Sequence, residues 1–131
     1  MLLGIGTDLV NTQQIAKYKS QSDFFIDEIF TNDEIKYCES MAFPETHYAG
    51  RFAAKEAFFK ALGTGIGYGM KFTDVEVIQD DLGKPLIKLH RKAKILAEKK
   101  NAATIHLSIS HSKTSAIAFV VIQKPNLEAN V

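Results

Sequence analysis

The 131-residue chain has no tryptophan, one cysteine and almost no excess of charge. Sixteen Lys and Arg against fifteen Asp and Glu leave a formal charge of +1. A general nucleic-acid binder carries a strong basic excess, so this balance argues against a nucleic-acid partner. Cys38 stands alone, which excludes an intrachain disulfide and a cysteine-based metal cluster and fits a reducing, cytoplasmic location. No window approaches the ~20 apolar residues needed to cross a bilayer, so no membrane association is expected. The opening MLLGIGTDLV lacks a basic n-region and reaches Asp8 without a long apolar run; a signal peptide is not expected. His47, His90 and His106 show no metal-ligand spacing, which argues against zinc.

What is present is ordinary for a globular protein, with 46% hydrophobic and 24% charged residues. A chain of this length buries enough surface for a real core. With no repeat, low-complexity tract or linker, residues 1–124 are expected to form one domain and 125–131 a frayed tail. Leu2 to Thr7 reads as a buried strand ending at Asp8. Asn11 or Thr12 caps a helix to about Lys19, and Phe24 to Phe30 is an aromatic, apolar segment. Thr31 and Glu34 form a capping box for a helix from Asn32 to about Met41. A longer helix follows from about Glu45 to Leu62 and ends at Gly63. Phe72 to Gln79 and Lys84 to His90 read as a hairpin turning at Asp80–Gly83. Arg91 to Lys100 is a basic amphipathic helix. Thr104 to Ser110 and Ala116 to Ile122 are strands joined by a loop from His111 to Ser115. The strands do not alternate regularly with helices, so the class is α+β, an antiparallel sheet packed on a long central helix.

That long helix carries an unusual stretch, RFAAKEAFFKALGTGIG. At ~100° per residue Arg51 and Lys55 fall on one side and Glu56 and Lys60 well around from them. Aromatic residues project between the two pairs, whereas a solvated amphipathic helix gathers its charges on one face. Two readings follow: ordinary i,i+4 pairs worth a few tenths of a kcal/mol, or charges kept in a partly buried site for a ligand. Asp8 likewise reads either as a turn residue or as a ligand. Mg²⁺ takes oxygen ligands and keeps several waters, so one or two carboxylates plus substrate phosphates suffice to hold it. A nearby lysine balances the remaining phosphate charge. The GTGIG loop lacks the Lys-Ser/Thr ending of a phosphate-binding Walker loop and follows a helix. The other polar concentration is SISHSKTS, from Ser108 to Ser115. Ser110 and His111 are neighbours on a strand and point to opposite faces, poor geometry for a nucleophile and its base. The loop suits phosphate binding, or is simply a polar hairpin turn.

GIGTDLV, RFAAKEAFFKALGTGIG, DLGKP and SISHSK occur in that order. Together they resemble the holo-acyl-carrier-protein synthase family of small 4′-phosphopantetheinyl transferases. The family pairs G-x-D near the N-terminus with an F/W-x-x-K-E-x-x-x-K helix, matched here by Gly6 and Asp8 and by Phe52, Lys55, Glu56 and Lys60. The resemblance implies transfer of the phosphopantetheine arm of coenzyme A to a serine of apo acyl carrier protein, releasing adenosine 3′,5′-bisphosphate. It also implies that Asp8 and Glu56 bind Mg²⁺ with the coenzyme pyrophosphate and that Lys60 contacts that phosphate. Arg51, Gly63, Pro85, His111 and Ser112 would line the coenzyme, with the last hairpin near its 3′-phosphate. Homotrimers with sites at subunit interfaces are implied too. The base for the serine proton stays open among Glu56, Asp8 through water, and a metal-linked water.

One departure concerns the carrier. The family's first helix commonly carries several arginines; NTQQIAKYKS offers only Lys17 and Lys19, with Asp23, Asp27 and Glu28 soon after. Lysine lacks the bidentate fork of arginine, so carrier docking is expected to be weaker, differently distributed or narrower in partner choice. The alternative reading is a protein that binds coenzyme A or a nucleotide without transferring anything.

Overall fold

The computed structural model describes residues 1–126; the expected frayed tail lies, beyond residue 126, outside them. The chain opens with β1 (Leu2–Asn11), α1 (Thr12–Gln21), α2 (Asp23–Ile29), α3 (Asn32–Glu39) and the long α4 (Pro44–Leu62). A 3₁₀ turn (Phe72–Asp74), β2 (Val75–Gln79), β3 (Pro85–Leu89), α5 (Arg91–Lys99), β4 (Thr104–His111) and β5 (Ser115–Gln123) complete it. The strands form an antiparallel sheet ordered β1-β5-β4 and a separate β2-β3 hairpin. The α+β class with antiparallel sheet and central helix is therefore the observed architecture.

Local chemistry sets most element ends. The Asn11 side chain accepts from the Gln13 and Gln14 amides and starts α1, and Ser22 caps α2 in the same way. The Thr31–Glu34 capping box is formed in both directions. Pro44 occupies the first turn of α4, where a missing N–H costs nothing. Gly63 ends that helix at φ 85°, a left-handed conformation that glycine adopts without strain.

Three features differ from or add to the sequence reading, the first for a tertiary reason and the other two for local ones. β1 does not end at Asp8: residues 9–11 keep pairing with Ile117, Ala116 and Ser115 of β5, so Asp8 sits mid-strand opposite Ala118. The expected strand from Phe72 begins instead as a 3₁₀ turn, closed by the Asp74 side chain accepting from the Lys71 amide. The aromatic segment after Ser22 is helical, burying Ile26 and Ile29.

α4 lies across the inner face of the three-stranded sheet. Ala53, Ala54, Ala57, Phe58 and Phe59 are fully buried along it, which explains why it lacks a polar face. Contact with β1 is backbone to backbone: a Cβ on Gly6 would stand 2.0 Å from the Ala57 carbonyl oxygen and 2.8 Å from the Ala61 nitrogen. Backbone cannot swing aside as a side chain does. Gly6→Ala is therefore expected to cost about 3 kcal/mol, the upper range for overpacking; an unchanged urea midpoint would show that β1 and α4 are not so closely apposed.

Lys55 takes no part in a solvated face. Its ammonium is fully buried and donates to Glu34 Oε1 (2.8 Å), the Val75 carbonyl (2.6 Å) and the Phe72 carbonyl (3.0 Å). Glu34 in turn accepts from the Thr31 and Val77 amides, tying α3, α4, the 3₁₀ turn and β2 together. Burial lowers the Lys55 pKa and Glu34 opposes that shift.

Candidate active site

Asp8 and Glu56 face one cleft of 590 Å³, reached from β1 and α4 respectively and walled by Phe52, Phe72 and the α1–α2 pair. β1 alternation turns Asp8 inward toward α4, on the same side as Gly6 and Val10. Glu56 lies next to Lys55 in sequence, yet ~100° of helical rotation turns one into the core and the other into the cleft. Lys60, one turn on, sends its ammonium to Asp8 Oδ1 and to the Thr7 carbonyl, both at 3.0 Å. Of the two readings of these charges, the i,i+4 pair of Glu56 with Lys60 gives way to a contact between helix and strand. Partial burial raises the Glu56 pKa, and the nearby Asp8 charge adds to the rise while Lys60 opposes it.

Among the described residues, no three His, Cys, Asp or Glu side chains converge into a metal cluster. Two carboxylates in one cleft, one of them with a raised pKa, nevertheless suit a hard dication whose other ligands are water and phosphate oxygens. The donor set fits Mg²⁺ and does not fit zinc.

A second cleft of 490 Å³ lies on the opposite side of α1. Thr12, Gln13 and Ala16 of α1 line it, whereas Gln14, Ile15 and Tyr18 line the first. His111, Ser112 and Lys113 enter from the β4–β5 hairpin, and Thr46 and His47 from α4. The His47 and His111 rings meet edge to face at 5.5 Å. Burial lowers the His47 pKa, with Arg51 and His111 lowering it further. Arg51 itself is only 4% exposed, its guanidinium lying 4.0 Å from the centre of the Tyr37 ring. Arg51 Nε and Nη2 are buried without a hydrogen-bond partner, an expensive state for a cation.

The expected site residues therefore fall into groups. Asp8, Glu56 and Lys60 come together; His111 and Ser112 line the second cleft; Arg51 is close enough to shift His47. Gly63 ends α4 just beyond Lys60, Pro85 opens β3, and neither lines either cleft. His111 belongs to β4 itself, one residue before the hairpin loop. His47 was missed because its only sequence signal is the i,i+4 spacing to Arg51 on α4. Of the two α1 lysines, Lys19 is held by Glu39 at 2.9 Å and Glu45 at 3.7 Å. Cys38 is buried with its thiol pushed up to about 12, so it is no nucleophile. No helix among the described residues is long and apolar enough to cross a membrane.

The chain as a whole is matched by known proteins. The 4′-phosphopantetheinyl transferase superfamily pattern covers residues 4–120, and the chain belongs to that superfamily. Within it, the chain groups with the holo-(acyl-carrier-protein) synthases, enzymes that transfer phosphopantetheine from coenzyme A to apo acyl carrier protein. The synthase of Syntrophus aciditrophicus is 44% identical over 124 residues, covering 94% of this chain and 97% of that one. The Neisseria meningitidis synthase structure superposes with a TM-score of 0.88 at 34% identity, covering 95% of this chain and 100% of that one. A Bacillus anthracis synthase crystallised in complex with CoA (3′,5′-ADP) gives 0.80 at 38% identity, over 95% and 99% of the two chains.

Proposed function

We propose that this enzyme transfers 4′-phosphopantetheine from coenzyme A to a serine of apo acyl carrier protein with Mg²⁺, releasing adenosine 3′,5′-bisphosphate. The observation that carries the reading is the convergence of Asp8 and Glu56 on one cleft, with the Lys60 ammonium bound to Asp8. Asp8 and Glu56 would hold the metal together with the coenzyme pyrophosphate, and Lys60, which bonds Asp8 here, would turn to a phosphate oxygen. A dication held there would supply neutralisation of the charge that develops on the leaving pyrophosphate oxygen. The serine proton passes to Glu56, to Asp8 through a water, or to a metal-linked water, all of which lie at this cleft. His111 and Ser112 supply the anion-binding half, with the Arg51 guanidinium, whose Nε and Nη2 lack hydrogen-bond partners, close to His47 beside them; the resemblance adds Gly63 and Pro85 as coenzyme contacts.

Helix α1 stands between the two clefts of one chain. The family resemblance implies a homotrimer with interfacial sites, and in such an assembly one coenzyme draws its metal half from one copy and its anion-binding half from another. An apolar outer sheet face supports this: Ile5, Leu9, Ile117 and Phe119 are 59%, 68%, 45% and 46% exposed on neighbouring strands. Such a face calls for a partner. Residues 1–124 then act as one domain in the cytoplasm, where the reduced Cys38 is at home.

Mixing variants tests the shared site. Glu56→Gln and His111→Ala are each expected to be inactive at a coenzyme concentration that serves the wild type. Subunits co-folded in equal amounts recover about a quarter of wild-type activity, because one interface in four pairs two intact halves in a closed ring. A mixture no more active than its components would place both halves in one chain.

A further inference from the structure

Phe43 is a large aromatic residue with no place in the core. It is 72% exposed and belongs to no ring pair among the described residues. Its backbone is fixed just before α4, at φ −127° and ψ 82°. Pro44 bars it from joining the helix, and its carbonyl accepts from the Thr46 amide at 3.2 Å. A lone exposed apolar residue on an open surface needs no explanation. Phe24 and Tyr68 are about as exposed as Phe43, and neither lines a cleft described above. Phe43 does: it walls the 490 Å³ cleft that also holds His47, His111, Ser112 and Lys113. An aromatic wall beside a few polar groups is the make-up of a small-molecule site.

The charges of the cleft favour an anion. Lys113 has no ion-pair partner among the described residues, while Glu45, the one carboxylate in the lining, lies 3.7 Å from Lys19. The inference rests on the function proposed above, in which His111 and Ser112 take the anionic end of coenzyme A. The adenine of that coenzyme is separated from its 3′-phosphate by one ribose. We propose that Phe43 stacks on this adenine, so that the base itself contributes to holding the donor. A base presents a flat π face to an aromatic ring, and such stacking is worth roughly tenfold in affinity. It would not select among bases; it would separate donors that carry a base from donors that carry none. Because the base is remote from the reacting phosphorus, its loss would raise KM and leave kcat alone.

The experiment uses the intact enzyme, and transfer to apo carrier is followed by mass. Phe43→Ala is expected to raise the coenzyme A KM roughly tenfold, with kcat and the carrier KM unchanged. A donor analogue that keeps the ribose phosphates but lacks adenine is expected to show one KM in both proteins. The chain has no tryptophan, so Phe43→Trp places a single indole at the wall. That variant is expected to keep the wild-type KM, and its emission to fall on adding adenosine 3′,5′-bisphosphate but not inorganic phosphate. A wild-type coenzyme KM in Phe43→Ala would overturn the inference. So would an indole blind to a nucleotide that calorimetry shows to be bound. Equal losses with both donors would overturn it as well, since Phe43 would then merely shape the cleft. In these three cases the transferase reading stands. No mass gain on the carrier and no nucleotide bound by any form would overturn that reading, and this inference with it.

Discussion

Glu56→Gln is expected to lower the transfer rate by roughly three orders of magnitude, the scale on which removing one transition-state charge contact acts, while raising the thermal stability of the metal-free protein. Both effects have one origin. Glu56 is half-buried beside Asp8, and its pKa is raised by burial first and by Asp8 second. A carboxyl whose pKa rises on folding works against the fold once it ionises. The cost is absent below the unfolded value of about 4.3, grows as pH rises toward the folded pKa and is constant above it. Glutamine carries no charge, so the variant gains most at neutral pH and nothing in acid. Melting curves of both proteins in EDTA across this range read the difference directly. A variant that turns over normally would remove Glu56 from the metal and the proton transfer. A variant that melts lower at neutral pH would mean that Glu56 is already compensated without a ligand.

Lys55→Met is the second large effect, and it lies in the fold. The ammonium makes three hydrogen bonds at 2.6 to 3.0 Å in a fully buried site. Methionine fills much the same volume but leaves Glu34 charged and unpaired beside two freed carbonyls, those of Phe72 and Val75. Breaking one side of a buried pair costs about 3–5 kcal/mol. Urea unfolding is expected to show that loss, and Lys55→Met combined with Glu34→Leu to recover part of it, since the stranded charge goes too. A single-variant loss below about 1 kcal/mol would mean that Glu34 is satisfied by the Thr31 and Val77 amides alone. Helix α4 thus assigns neighbouring charges to different tasks, Lys55 to the core and Glu56 to the cleft.

Much of this was legible because its causes are local. The Thr31–Glu34 box, Pro44 at the start of α4, Gly63 at its end and the Asp80–Gly83 turn each act within four residues. The oddness of RFAAKEAFFKALG was legible as well, since charges among aromatics contradict a solvated face. What escaped depended on partners far along the chain. Asp8 lies mid-strand because β5, more than a hundred residues later, continues to pair with residues 9–11. Arg51 is buried over Tyr37 because α3 packs against α4, and nothing in the spacing of either helix reveals that stacking. His47 joins His111 only when the last hairpin folds back on α4. The family resemblance supplied the list of site residues; the placing of Asp8 and Glu56 in one cleft and of His111 and Ser112 in another, on the opposite side of α1, came from the structure alone.

The most direct test is a mass spectrum of apo acyl carrier protein after incubation with this protein, coenzyme A and Mg²⁺, beside an EDTA control. A gain of one phosphopantetheine per carrier, with adenosine 3′,5′-bisphosphate released and both absent in EDTA, is the predicted result. An unmodified carrier in the presence of folded enzyme that still binds coenzyme A would contradict it and leave a coenzyme-binding protein in its place.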